Sequence, residues 1–100
     1  MTSKMENVRL GQIFEIELDE NPTTGFTYFH EEASDGLLIL KSVYIPYTDR
    51  SKRVLYGASG IHRWTIKAVK PGKQTLKVTK GQKWSETTWE TETIYIYINL

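Results

Sequence analysis

Ile94-Tyr95-Ile96-Tyr97-Ile98 places an isoleucine at every second position with a tyrosine between. A repeat of two is the signature of a strand with one buried face, since a helix would space its apolar residues three and four apart. The same period recurs upstream. Phe14, Ile16 and Leu18 alternate with Glu15, Glu17 and Asp19; Trp64, Ile66 and Ala68 alternate with Thr65 and Lys67; Leu76 and Val78 alternate with Thr75, Lys77 and Thr79. β-Branched and aromatic residues suit these half-buried positions. Residues 26–31 and 37–45 read as two further strands, and the run Leu37 to Leu40 leaves the inward parity of the second open. No stretch carries a helical period, and no internal repeat is present.

Six to eight short strands in 100 residues, with no helices to cover a parallel sheet, predict an all-β fold: an antiparallel sandwich or a small barrel. The chain has room for a single domain, residues 1–100 with its core from about residue 6, and that domain buries roughly two-thirds of its unfolded surface. It must therefore work from its surface. With no cysteine, disulfides, thiolate metal sites and a thiol nucleophile are excluded. Residues 1–12 carry Lys4, Glu6 and Arg9 and no apolar signal region, so a cytoplasmic protein is expected. Leu37 to Leu40, the longest apolar run, falls far short of the roughly 20 residues that span a bilayer, and no membrane association is expected.

Charge is divided unevenly along the chain. Residues 1–36 hold eight acids and two bases, and residues 37–83 hold eleven bases and one acid, Asp49. A basic face for nucleic acid is one reading; the other is that Lys67, Lys70, Lys73, Lys77 and Lys80 fill the solvent side of strands and turns and discourage edge pairing. The net charge of only +1 favours the second. For enzymatic chemistry the histidines His30 and His62 stand singly. Ser59 and His62 lack an evident orienting acid, and no glycine-rich phosphate loop opens a helix. Neither catalysis nor a cofactor is expected.

If strand direction alternates along the chain, the connections at 20–25, 46–60 and 81–90 emerge at one end of the fold. The turns Ser34-Asp35-Gly36 and Lys70-Pro71-Gly72-Lys73 emerge at the other. An extra strand over 53–56 would alter this only by reversing the parity. The second set consists of tight turns with the Asp-Gly and Pro-Gly pairs such turns use. The first set is long and carries unusual residues, as functional loops on a rigid scaffold do.

Asn21-Pro22-Thr23-Thr24-Gly25-Phe26 matches without a gap the first signature of the chagasin-type inhibitors of papain-like cysteine proteases, Asn-Pro-Thr-Thr-Gly-aromatic. Gly57-Ala58-Ser59-Gly60 is similar to their second, Gly-x-Gly-Gly, with Ser59 in place of a glycine. Gln82-Lys83-Trp84 resembles their third, Arg-Pro-Trp, in the tryptophan alone. The resemblance spans about residues 6–100. It implies an immunoglobulin-like β-sandwich, a monomer when free. Its three loops would enter the cleft of a cathepsin-like protease, the first centrally and the others to either side.

The residues themselves allow this role. Pro22 fixes its own φ and biases Asn21 toward extended geometry, while Gly25 permits a positive φ. The tip of the first loop is uncharged, so it could meet a thiolate and an imidazolium without burying an unpaired charge. Trp84, between the polar Lys83 and Ser85, reads as an exposed anchor; Trp64 lies on the inward parity of its strand and reads as core; Trp89 fits either side. Two other readings remain open on the sequence: a small β-barrel that stacks single-stranded nucleic acid on Trp84, Trp89, Tyr95 or Tyr97, and an aromatic-faced carbohydrate-binding sandwich.

Overall fold

The isoleucines of the C-terminal repeat, Ile94, Ile96 and Ile98, are all buried and sit at the middle of a core made by two facing sheets. The computed structural model describes residues 4–47 and 59–100. Seven strands run β1 (Lys4–Arg9), β2 (Ile13–Glu20), β3 (Thr27–Ala33), β4 (Leu37–Pro46), β5 (Gly60–Ala68), β6 (Gly72–Gln82) and β7 (Ser85–Asn99), with one 3₁₀ turn at Pro22–Thr24. One sheet has the order β1-β7-β6-β3 and the other β2-β5-β4. Neither closes on itself, so the fold is an immunoglobulin-like sandwich, with seven strands among the described residues, and the barrel alternative falls.

Inward residues follow the period read from the sequence. Ile16 from β2, Trp64, Ile66 and Ala68 from β5, Leu76 and Val78 from β6, and the three isoleucines of β7 form one apolar cluster. Trp64 is core, with 1% of its surface exposed. In β4 a register shift between Ile39 and Lys41 settles the open parity: Leu37 is buried and Ile39 half-buried, Leu38 and Leu40 face solvent, and beyond the shift Ser42, itself exposed, places its hydroxyl against the buried His62. A bulge on this edge strand also breaks the flat hydrogen-bonding edge that invites aggregation.

The structure departs from the sequence reading in two elements. β1 is an additional strand, parallel to β7, with Val8 as its one buried apolar residue; so few inward apolar positions leave little periodicity to read. The span 81–90 is not a long loop. β6 continues to Gln82 and β7 begins at Ser85, leaving Lys83-Trp84 as a tight hairpin tip. Thr87, Thr88, Trp89, Thr91 and Thr93 have the side chains strands favour, and no glycine or proline interrupts them. A possible strand at 53–56 lies outside the described residues.

Lys67, Lys70, Lys73 and Lys77 are exposed, as solvent-facing fill would be, but Lys80 shares the inward parity of Leu76 and Val78 and is half-buried. Lys67 belongs to one sheet and Lys73, Lys77 and Lys80 to the other, so the basic segment makes no single face. Lys73 Nζ stands 5.0 Å over the Tyr95 ring and Lys80 Nζ 5.5 Å over that of Tyr28, keeping their stems on aromatic surface.

Candidate functional site

Strand direction alternates through the described part of the sandwich, so the β2–β3, β4–β5 and β6–β7 connections leave at the same end. A cleft of about 320 Å³ there is bordered by Asn21, Thr24 and Phe26 of the first connection, Ser59 of the second, and Thr88 beside the third. The described ends of the three connections thus lie at one edge.

The first loop is held by its own side chains. Asn21 caps the 3₁₀ turn, its Oδ1 accepting from the Thr23 backbone N–H at 3.3 Å and from the Thr23 hydroxyl at 2.5 Å. The Thr24 hydroxyl donates to the Asn21 carbonyl at 3.0 Å. Pro22 opens the turn with a preset φ and no N–H to satisfy, and its carbonyl accepts from Gly25 N–H at 2.9 Å. Gly25 closes it at φ 84°, a left-handed conformation in which glycine alone is unstrained. Asn21 and Phe26 then bridge to start the paired stem. Thr23 and Thr24 are exposed, and both have spent their hydroxyl hydrogens inside the loop. Their oxygens retain the capacity to accept.

In the second loop Gly57 and Ala58 lie outside the described residues. Ser59 is half-buried, its carbonyl accepting from Tyr47 N–H at 3.3 Å. Gly60 is buried where β4 crosses: a Cβ there would run into the Ile45 carbonyl and the Pro46 Cα. Its contribution is to let two backbones approach, and it offers no outward surface.

The third loop is an exposed tip on a braced base. Trp84 is 74% exposed, and its six-membered ring lies over the Cα of Gly25, where a side chain on Gly25 would collide with it. Gln82 Nε2 donates to the Thr24 carbonyl at 3.0 Å. First and third loops are therefore joined before any partner arrives. Behind them Trp89, undecided in the sequence, is 40% exposed; its indole N–H donates to the Gln82 carbonyl at 2.8 Å and its ring packs 4.9 Å from that of Phe29. Thr88 Oγ1 accepts from Gln82 N–H at 2.8 Å and donates to the Ser85 carbonyl at 2.7 Å. Lys83 is exposed at the tip.

One expectation is corrected. His62 does have an acid: its Nδ1 is 3.0 Å from Glu20 Oε1, and the serine on its other nitrogen is Ser42, at 2.7 Å, rather than Ser59. The order hydroxyl, imidazole, carboxylate is that of a hydrolase relay, but the ring is enclosed by Tyr28 and Trp64 at centroid distances of 5.7 and 4.4 Å. The signal was present in the sequence, because Glu20 shares the inward parity of Ile16 and Leu18, and His62 that of Trp64 and Ile66.

Residues 7–98 match the family described as Chagasin family peptidase inhibitor I42. Chagasin of Trypanosoma cruzi is 24% identical over 96 residues, covering 91% of this chain and 84% of that protein. Among solved structures, the cysteine protease inhibitor EhICP2 from Entamoeba histolytica is similar with a TM-score of 0.69 at 19% identity, over 97% of this chain and 96% of its own. PbICP-C in complex with falcipain-2 gives a TM-score of 0.64 at 21% identity, over 97% and 88%. The solved structures share the fold, and the family match extends over most of the sequence. The chain belongs to the chagasin family of peptidase inhibitors.

Proposed function

We propose that this inhibitor acts on papain-like cysteine proteases, reversibly and competitively, by seating its three-loop edge in the active-site cleft with the first loop at the centre. The observation that carries the reading is the pre-assembled edge: an uncharged 3₁₀ tip tied through Gln82 to a hairpin that presents an exposed tryptophan. Known relatives support the class of target, since EhICP2 is a cysteine protease inhibitor and PbICP-C is seen in complex with falcipain-2.

The chemistry fits. A papain-like site holds a thiolate beside an imidazolium. The oxygens of Thr23 and Thr24 can accept hydrogen bonds from an imidazolium, and the neutral tip brings no charge that would need a partner in the closed cleft. The tight turn differs from the extended strand that a protease holds in order to cut, so inhibition is expected to need no bond-making. Three loops of this size could bury a standard interface of roughly 1,600 Å².

The test is inhibition of papain-catalysed peptide hydrolysis, with the apparent constant rising linearly with substrate as competition requires. A papain variant whose catalytic cysteine is alanine should bind as tightly as the active enzyme, and inhibitor recovered from the active complex should keep its original mass. Loss of binding to the alanine enzyme, or cleavage within residues 21–25, would show substrate-like trapping instead. Gln82→Ala should weaken inhibition by about 1 kcal/mol, about fivefold, with little change in melting temperature, because it removes one exposed bond between loops. An unchanged inhibition constant would mean that the join between first and third loops is incidental.

A further inference from the structure

Two ionisable side chains lie inside the sandwich directly under the central loop: Glu20, 3% exposed, and His62, 8% exposed. Glu20 Oε2 accepts from the backbone N–H of Tyr28 while Oε1 takes the His62 Nδ1 contact at 3.0 Å. Glu20 is the last residue of β2 and Tyr28 the second of β3, so one carboxylate spans the two stems of the loop, which belong to different sheets. His62 of β5 backs that carboxylate, and Ser42 of β4 closes the line at 2.7 Å from His62 Nε2. Four strands thus converge on the loop's base through hydrogen bonds.

We propose that Glu20 and His62 are positioning residues for inhibition, clamping the stems of the central loop in one geometry whether the imidazole is neutral or protonated. The proposal rests on the inhibitor reading above. With neutral His62, Nδ1–H donates to Glu20 and Nε2 accepts from the Ser42 hydroxyl. On protonation Nε2–H donates to Ser42 Oγ, whose hydroxyl rotates, and Nδ1–H still faces the carboxylate. Neither state strands a buried polar atom, so the loop keeps its seat from neutral to acidic medium.

Other groups around the ring leave this arrangement intact. Tyr28 of β3 packs edge-on to it, Tyr44 of β4 is its cross-strand neighbour, and Lys80 of β6 lies beyond the Tyr28 ring. Burial, with the charges of Glu92, Glu20, Asp19 and Glu90 adding, pushes the Tyr28 hydroxyl well above the ordinary phenol range, so it stays neutral.

Glu20→Gln separates positioning from packing because it keeps shape and volume. The glutamine oxygen can accept from Tyr28 N–H, and its amide can donate to Nδ1 if His62 changes tautomer and donates from Nε2 to Ser42. At neutral pH the clamp is complete. A protonated imidazole, however, would point Nδ1–H at the amide N–H₂, two donors face to face.

The experiment measures inhibition of papain by wild type and Glu20→Gln at about pH 7.5 and about pH 5. It also records the ¹⁵N shifts of the His62 ring in the free proteins and thermal melts at both pH values. The variant-to-wild-type ratio of inhibition constants should be within about twofold at neutral pH and rise about tenfold or more in acid, with opposite His62 tautomers in the two proteins at neutral pH. An equal ratio at both pH values in a folded variant would overturn the proposal, as would the same tautomer in both. Should the variant unfold in acid, the tautomer comparison at neutral pH decides. If wild type fails to inhibit papain at all, it is the inhibitor reading that falls, and the ring shifts still show whether the clamp exists.

Discussion

Gly25→Val is expected to weaken inhibition of papain by about a hundredfold or more, roughly 2.7 kcal/mol, while the protein remains folded. Two independent features of the position require this. Gly25 sits at φ 84°, where a β-branched residue is strained by about 1–3 kcal/mol, and the loop can escape that strain only by leaving its conformation. A Cβ on Gly25 would also drive into the ring of Trp84, so the third loop is displaced together with the first. Relief is local, because Pro22–Thr24 contributes no buried residue and the core beneath does not depend on it. Circular dichroism at 25 °C should therefore match wild type while the inhibition constant rises. Gly25→Ala, without the branched carbon, should fall between the two. A folded valine variant that inhibits like wild type would remove the first loop from the centre of the interface.

The collision at Gly25 also shows where sequence reasoning stops. The need for glycine was legible from the Asn-Pro start and the Gly-Phe close of the loop. The neighbour that a side chain would meet was not, because Gly25 and Trp84 are far apart in sequence and only the sandwich brings them together. The same division holds elsewhere. Strands β2, β5, β6 and β7 are legible because one face of each is apolar at a strict period of two, whereas β1 has only Val8 to mark its inward side. The span 81–90 looked like a loop because its polar residues concealed a ladder that continues to the tip. Glu20 and His62 stood on inward parities in plain view, but a charged residue at a strand end is ordinarily solvated. Their pairing depends on β2, β3, β4 and β5 meeting there, which no single strand's pattern encodes.

Trp84→Ala should cost about 2 kcal/mol of binding, about thirtyfold, expressed mainly as faster dissociation. The melting temperature should hardly move, since the side chain is 74% exposed and outside the core cluster. A substantial fall in stability would instead assign the indole a packing role. The expected loss has two sources: contact area given up in the protease cleft, and a first loop no longer covered by the ring that rests on Gly25. A double-mutant comparison separates them. Gly25→Ala harms wild type both through its left-handed backbone and through collision with the indole, whereas in the Trp84→Ala background only the backbone penalty remains. The second substitution should therefore cost less there than in wild type, and the difference measures how strongly the two loops are joined. Strict additivity would mean that the indole moves aside freely and serves the protease alone, leaving Gln82 as the remaining direct link between the first and third loops among the described residues.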